Sequence, residues 1–152
     1  MTQKIAIIVS KGGLDEIYPS FILANGARQS GMDATLFFTF YGLDAITDAK
    51  VDKLHVNMTG NASSPIPTVI AGLPGMERVA AGMMQKQMKG LDIPGPREFL
   101  EILHDSGVKI YACLLAMDMF GVEKSDLIDQ VEAVITVGDF YDVAAGGQVL
   151  FT

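Results

Sequence analysis

The 152-residue sequence predicts an α/β protein in which helices cover both faces of a parallel sheet. Short runs of β-branched and aromatic residues alternate with helical patterns along the chain, which favours this class. The first of these runs, residues 5–9, is continuously apolar, as is typical of a strand buried on both faces. Since 49% of the residues are hydrophobic and 19% are charged, the composition excludes disorder, and the length predicts one domain over residues 1–152.

The first forty residues predict a β-α-β unit. A strand at 5–9 is followed by a glycine turn at 10–13, a helix at 14–30 and a second strand at 34–40. Gly31 ends the helix, because glycine readily adopts the left-handed conformation found beyond helix C-termini.

A helical insertion after the second strand is predicted from about residue 44 to residue 95, where the regular pattern loosens. Residues 57–67 are rich in Gly, Asn, Ser and Pro and predict a loop. Apolar residues then recur at steps of three and four between 73 and 91, which predicts an amphipathic helix. Its methionines favour a core or oligomer contact, and an adaptable docking surface is the alternative.

In the last third of the chain, predicted helices and strands alternate regularly again. It predicts helices at 96–106, 113–120, 125–130 and 139–145 and strands at 108–112, 133–137 and 148–151. Five parallel strands are therefore expected in total.

The charge of the chain limits its partners and its location. A net charge of −7 without a basic stripe argues against nucleic acid. No run of about 20 apolar residues occurs, so a stable membrane span is not expected. The first residues lack the pattern of a secretion signal and a single cysteine suits a reducing compartment, so we expect a cytoplasmic protein.

Cys113 is the only cysteine, so it cannot form an internal disulfide. It stands where a predicted strand gives way to a helix, and the N–H groups at a helix start favour the thiolate, which is the nucleophilic form. Apolar neighbours such as Leu114 and Leu115 favour the opposite interpretation, a small residue packed in the core. From position alone, the two interpretations are about equally supported.

Three short segments follow successive predicted strands and meet at one edge of the sheet. They are the turn from Lys11 through Gly12 to Gly13, the segment that begins with Tyr41, and the residues from Cys113 to Asp118. Ligands of open α/β sheets bind at this edge, so these residues predict a site for a small sulfur species or for the persulfide of another protein. For the glycine pair a plain turn is the favoured interpretation, and for Asp118 a solvated side chain.

Other chemistries find no support in the sequence. His55 and His104, the only histidines, lack metal-ligand spacing with Cys113, so a zinc site is not expected. Neither a phosphate-binding glycine motif after the first strand nor a Gly-x-Ser-x-Gly elbow is present.

Two motifs resemble the DsrE/DsrF-like sulfurtransferase family, and within it the stand-alone branch that bears the name peroxiredoxin. They are Phe-Thr-Phe-Tyr-Gly-Leu at 38–43 and Ala-Cys-Leu-Leu-Ala-Met-Asp-Met-Phe-Gly at 112–121. The resemblance implies a three-layer α/β/α sandwich around a five-stranded parallel sheet. It also implies that Cys113 carries sulfur as a persulfide, without a cofactor, that the chain forms homo- or hetero-oligomers, and that TusA-like or rhodanese-like proteins are its partners. Peroxidase activity is not expected, because no Thr-x-x-Cys motif occurs.

Sulfur relay is the leading hypothesis, and two alternatives remain open. One is a non-catalytic oligomeric binding subunit in which Cys113 is a core residue and the methionine-bearing helix docks a partner. The other is a flavodoxin-like module that binds a flavin or another small ligand at the same edge.

Overall fold

A computed structural model describes residues 2–56, 63 and 65–152. Its centre is one five-stranded sheet with the strand order β4-β3-β2-β1-β5, in which every neighbouring pair is parallel. The strands are β1 (Lys4–Val9), β2 (Asp33–Phe38), β3 (Lys109–Cys113), β4 (Ala133–Ile135) and β5 (Gln148–Phe151). The predicted α/β class and parallel five-stranded sheet are confirmed.

Six α-helices are assigned within the described residues. They are α1 (Leu14–Gln29), α2 (Thr68–Ala71), α3 (Met76–Gly90), α4 (Pro96–Asp105), α5 (Leu114–Phe120) and α6 (Val137–Ala144). No helix in that part of the chain is long and apolar enough to cross a membrane.

Aromatic contacts assign helices to the two faces of the sheet. On one face, the ring of Phe38 lies 6.3 Å from that of Phe21 in α1, and α1 also packs against α4. On the other face, Phe37 stacks on Phe140 of α6 with ring centroids 4.7 Å apart. Because successive side chains of a strand point to opposite faces, these two neighbours anchor the two outer layers of the predicted sandwich.

The turn after β1 is fixed by the insertion as well as by its own residues. Gly13 precedes α1 and its N–H donates to the Glu16 carboxylate over 3.2 Å, while the Leu14 N–H donates to the carbonyl of His55 over 2.9 Å. Two of the N–H groups at the start of α1 are thus satisfied, one of them from a residue distant in sequence.

The end of the second strand differs from the prediction. The strand expected at 34–40 ends at Phe38, because the Thr39 N–H makes the last bond to Val9 and the chain then turns into a 3-10 segment, Phe40–Ile46. Phe40 has a φ of 48°, a left-handed conformation that is incompatible with a strand.

The helix predicted at 125–130 was wrong. Only a 3-10 turn at Lys124–Asp126 forms there, and the following residues extend along the segment after β2. Leu127 pairs with Thr47 in an antiparallel bridge, and the Ile128 N–H donates to the carbonyl of Ile46 over 2.9 Å. These long-range bonds satisfy the backbone that a helix would have satisfied locally.

The fourth strand and the last helix are displaced from their predicted bounds. The strand ends at Ile135 and not at 137, because Thr136 caps α6. The Thr136 hydroxyl accepts from the N–H of Asp139, and the backbone N–H of Thr136 donates to the Asp139 carboxylate, which lowers the pKa of that carboxyl.

The amphipathic helix predicted between residues 73 and 91 is confirmed as α3. A short α2, which the sequence did not predict, precedes it, and Gly75, with a φ of 89°, lies directly before α3. Met88 is buried in the core whereas Met83 is exposed, so the methionine stripe is only partly a core feature. Of the loop predicted at 57–67, residues 57–62 and 64 lie outside the described residues.

Candidate functional site

Cys113 is the last residue of β3, and α5 begins directly after it. It lies beside Ile135 at the end of β4, and its neighbour Ala112 is paired with Phe38 at the end of β2. The thiol-bearing residue therefore stands at the carboxyl edge of the sheet, between the ends of two strands, which is where ligands of open α/β sheets bind.

The thiol itself is almost covered. Cys113 is 4% exposed, and Ala116 and Met117 of α5 are buried with it. Tyr111, on the same face of β3 by strand alternation, is half-buried. A reaction partner thus reaches Cys113 only if the chain around it opens locally.

Exposed apolar side chains lie on the helix that begins after this covered thiol and on the segment that follows β2. Large apolar side chains on α5 and on the segment after β2 are exposed by 41% to 65%. The residues are Phe40, Tyr41, Leu114, Leu115, Met119 and Phe120. We call these six residues the thiol-edge patch. Exposed apolar groups that cluster in this way are typical of surfaces that meet another protein.

A large cavity lies at the same edge of the sheet, beside the end of β1. Its volume is about 1370 Å³, and it is formed by the turn after β1, by residues 41–55 and by the first half of α3. Its lining includes Lys11, Gly12, Gly13, Glu16, Tyr41, Asp44, Lys50, Asp52, Lys53, Leu54, His55, Glu77, Arg78, Ala81 and Gly82.

Close backbone packing explains the two glycines that hold this edge together. A Cβ at Gly12 would collide with the carbonyl oxygen of Tyr41, and a Cβ at Gly42 would collide with that of Val9. The turn after β1 and the segment after β2 therefore lie backbone against backbone, which only glycine permits at these positions.

Contacts between basic and acidic side chains cross the cavity wall. Lys50 lies 3.0 Å from the Asp44 carboxylate, His55 Nδ1 lies 3.4 Å from Glu77, and Lys11 lies 4.0 Å from Glu16. Because these side chains are exposed, each pair orients its groups more than it stabilises the fold.

Arg97 of α4 supports the wall from outside. Its guanidinium donates to Asp52 over 2.9 Å and to Asp48 over 2.8 Å, and these hydrogen bonds raise the pKa of Arg97 above its ordinary value. Asp52, which lines the cavity, is thereby paired with a residue that does not line it.

The structure separates the predicted site residues into two groups. Lys11, Gly12, Gly13 and Tyr41 line the cavity together, but Cys113 is absent from its lining. Asp118 is exposed on α5, and its side chain makes no hydrogen bond or ion pair with any other described residue. An aromatic contact connects the two groups, since the ring centroid of Tyr41 lies 5.3 Å from that of Phe120 in α5.

The sequence did not indicate that His55, Lys53 and Arg78 are parts of the cavity. No sequence pattern links His55 to a carboxylate, yet the fold brings Glu77 to it from the start of α3. A backbone bond of 3.4 Å from the Val56 N–H to the Glu77 carbonyl holds these segments together. No local signal marks such a pairing, because its partners belong to different elements.

A metal centre finds no ligands among residues 2–56, 63 and 65–152. No group of three or more His, Cys, Asp or Glu side chains there is arranged to hold an ion.

The fold and this edge define a class: parallel α/β sandwiches with a cysteine at the carboxyl end of a central strand. A sequence profile of the DsrE/DsrF/DrsH-like family matches residues 1–151, and the chain belongs to that family. The resemblance drawn from the two motifs is confirmed.

Two curated relatives share most of their length with the chain. The sulfur carrier protein DsrE2 of Allochromatium vinosum is 37% identical over 138 residues, which cover 86% of each protein. The uncharacterized protein YrkE of Bacillus subtilis is 26% identical, over 99% of this chain and 97% of its own.

Solved structures support the fold alone. The crystal structure of the ychN protein from E. coli matches all of both chains with a TM-score of 0.59 at 17% identity. The protein of unknown function MTH1491 from Methanobacterium thermoautotrophicum matches 99% of both chains, with a TM-score of 0.53 and 11% identity.

Proposed function

We propose that this protein relays sulfur, carrying it as a persulfide on Cys113 and passing it to the thiol of an acceptor. One observation carries the proposal: the only cysteine of the chain stands at the carboxyl edge of the sheet, between the ends of β2 and β4. The 37% identical relative that bears the name sulfur carrier protein supports the same role.

The chemistry needs no cofactor. The Cys113 thiolate attacks the outer sulfur of a donor persulfide R–S–SH, the bond between the donor's two sulfurs breaks, and R–S⁻ leaves. Cys113 then holds the sulfur as S–SH. In the second step an acceptor thiolate attacks that outer sulfur, takes it with its proton, and regenerates the Cys113 thiolate.

The structure limits the access of donor and acceptor to the thiol. Since Cys113 is 4% exposed, we infer that α5 shifts when a donor or acceptor docks on the thiol-edge patch. TusA-like or rhodanese-like proteins are the partners we expect there, because transfer between two proteins requires their sulfur atoms to touch.

The other predicted site residues take a supporting part in this proposal. Lys11, Gly12, Gly13 and Tyr41 lie in the adjoining cavity, where a small sulfur species would bind before it reaches the thiol. Asp118 lies exposed on the helix that begins after Cys113, and we assign it to the surface that meets the partner.

We further infer that the whole chain acts as one domain in a cytoplasmic homo-oligomer. Exposed apolar side chains on the α6 side of the sheet support self-association: Tyr141 is 67% exposed, Val149 48% and Phe151 72%. Sedimentation of the purified protein tests this, and a Phe151→Lys variant that sediments like the wild type would place the interface elsewhere.

Intact mass spectrometry tests the relay directly. The reduced protein is incubated with polysulfide or with a persulfide donor, and the wild type is expected to gain the mass of added sulfur whereas Cys113→Ser gains none. A second incubation with excess acceptor thiol is expected to remove that mass. No adduct on the wild type, or an equal adduct on Cys113→Ser, would sink the carrier proposal.

The burial of Cys113 favours a second candidate, a binding subunit in which the thiol is only a core residue. In that case Cys113→Ser keeps partner binding in full and the wild type takes up no sulfur. The same mass measurement therefore separates the two.

A further inference from the structure

Each carboxylate in the described lining of the cavity has a basic side chain beside it. Glu16 and Asp44 each lie within 4.0 Å of a lysine of the same wall, and Glu77 lies 3.4 Å from Nδ1 of His55. Asp52 is bound by Arg97 from outside, over 2.9 Å. Among the described residues, a ligand that enters the cavity thus meets no carboxylate without a basic side chain beside it.

Two cations of the wall have no acidic partner among the described residues. Lys53 and Arg78 line the cavity, and neither side chain forms a hydrogen bond or ion pair with another residue of the described ranges. The described lining carries four cations, Lys11, Lys50, Lys53 and Arg78, and four carboxylates, so this wall is neutral overall in a protein with a net charge of −7. Its two unpaired cations therefore favour an anionic group.

The fold joins the two segments that carry these cations. Lys53 ends the 3-10 turn Val51–Lys53, and Arg78 lies in the first turn of α3. The segment after Lys53 is tied to that turn twice, by the backbone bond from Val56 to Glu77 and by the contact of His55 with the Glu77 carboxylate. The pair is thus built by contacts between elements, which pre-orders it for a ligand.

The volume and the charges of the cavity together limit the chemical class of its ligand. A cavity of about 1370 Å³ is far larger than an inorganic anion needs and suits an organic molecule. Four carboxylates in the described wall disfavour a polyphosphate. Acidic and basic side chains in one wall suit a molecule that carries both signs of charge, and Leu54 and Ala81 suit its apolar part.

We propose that this cavity binds a small zwitterionic, peptide-like molecule whose carboxylates are held by Lys53 and Arg78. The guanidinium of Arg78 offers a fork that matches a carboxylate, and Lys53 adds a point charge. Cys113 does not line the cavity, so binding there can be measured separately from sulfur transfer.

Binding is tested with glutathione, which has two carboxylates and one ammonium group, and with S-methylglutathione, which has no free thiol. Isothermal titration of the full chain is expected to show saturable binding of both, and weaker binding of ATP. Cys113→Ser is expected to bind both peptides as the wild type does, so a failed relay leaves this result unaffected. No binding of either peptide, or tighter binding of ATP, overturns the proposal.

Charge variants locate the site. Lys53→Ala and Arg78→Ala are each expected to weaken S-methylglutathione binding by about tenfold, since each removes one charge-assisted contact. Lys86→Ala is the control, because Lys86 is an exposed cation of α3 that does not line the cavity. Equal affinities for all three variants would place the ligand elsewhere.

A steric pair tests the cavity without changing charge. Gly82 lines the cavity and Gly90 does not, yet both belong to α3 and a Cβ at either would meet no atom within 4 Å. Gly82→Leu is therefore expected to fold and to weaken binding by about tenfold or more, whereas Gly90→Leu binds as the wild type. Unchanged binding in Gly82→Leu counts against the proposal.

Discussion

The ring of Tyr41 lies 5.3 Å from the ring of Phe120, and this contact joins the two parts of the candidate site. Tyr41 belongs to the cavity wall, and Phe120 is the last residue of α5, the helix that begins directly after Cys113. Phe40 meets the same ring edge-on at 6.1 Å. Phe120 therefore holds α5 against the segment that follows β2.

Removal of this contact is expected to expose the thiol. Phe120→Ala loses both aromatic contacts, which are worth about 1 kcal/mol, so the opened state around Cys113 should be populated about fivefold more. Native-state labelling with a chromogenic disulfide reagent measures the effect as a faster rate.

Ile22→Ala serves as the control for this variant. Ile22 is an exposed apolar residue of α1, 59% accessible and far along the chain from the thiol. If both variants label at the wild-type rate, α5 does not control access to Cys113.

The burial of Cys113 also predicts that its reactivity depends on the size of the reagent. At 4% exposure the thiol admits a small reagent through a slight opening, while a bulky aromatic disulfide needs a larger one. For each reagent, the rate constant with Cys113 is divided by the rate constant with free cysteine. This ratio is expected to be at least about tenfold larger for methyl methanethiosulfonate than for the aromatic disulfide. Equal ratios for the two reagents in the native protein would contradict this prediction. A difference between the ratios that persists in denaturant would also contradict it.

Backbone packing at Gly42 predicts a large loss of stability on a minimal substitution. Gly42→Ala would drive its Cβ into the Val9 carbonyl oxygen, so the two segments must separate at a cost of more than about 2 kcal/mol. Gly26→Ala, inside α1 where a Cβ meets no atom within 4 Å, is expected to stabilise by about 0.5–1 kcal/mol. Urea unfolding midpoints that shift in the same direction for both variants would refute the packing argument.

The sheet could be predicted from the sequence because its signal is local. A continuous apolar run such as residues 5–9 records burial on both faces, and the glycine turn after it marks where the strand ends. For the same reason the position of Cys113 between a strand and a helix was correctly predicted, since both elements show their own periodicity.

The remaining features arise from contacts between distant segments. The pairing of Leu127 with Thr47 forms where a helix was predicted. The pairing of His55 with Glu77 completes a cavity wall that no sequence motif indicates. The left-handed Phe40 is a further case, because its conformation follows from the close approach of Gly42 to β1 and not from its own propensity. Burial of Cys113 likewise depends on how α5 packs.

Tyr18 connects α1 to the segment that leads into α4. Its hydroxyl donates to the carbonyl of Pro94 over 2.7 Å, and its ring contacts that of Phe99 at 5.9 Å. The residue is 8% exposed, and this burial raises the pKa of the Tyr18 hydroxyl above its ordinary value of about 10. The folded state thus disfavours the ionised form that the unfolded chain adopts at high pH.

The stability of the protein is therefore expected to fall as the pH rises above about 10, where the unfolded state releases the Tyr18 proton and the folded state retains it. Tyr18→Phe removes this proton, so its stability should fall less steeply over the same range. At pH 8, where the hydroxyl is neutral in both states, the variant should be less stable by about 1 kcal/mol because it loses the bond to Pro94. Urea unfolding of both proteins at pH 8, 10 and 11 checks the three statements together, with the pH values chosen about the ordinary tyrosine pKa. Parallel pH curves for the two proteins would mean that Tyr18 ionises as freely in the folded state as in the unfolded chain.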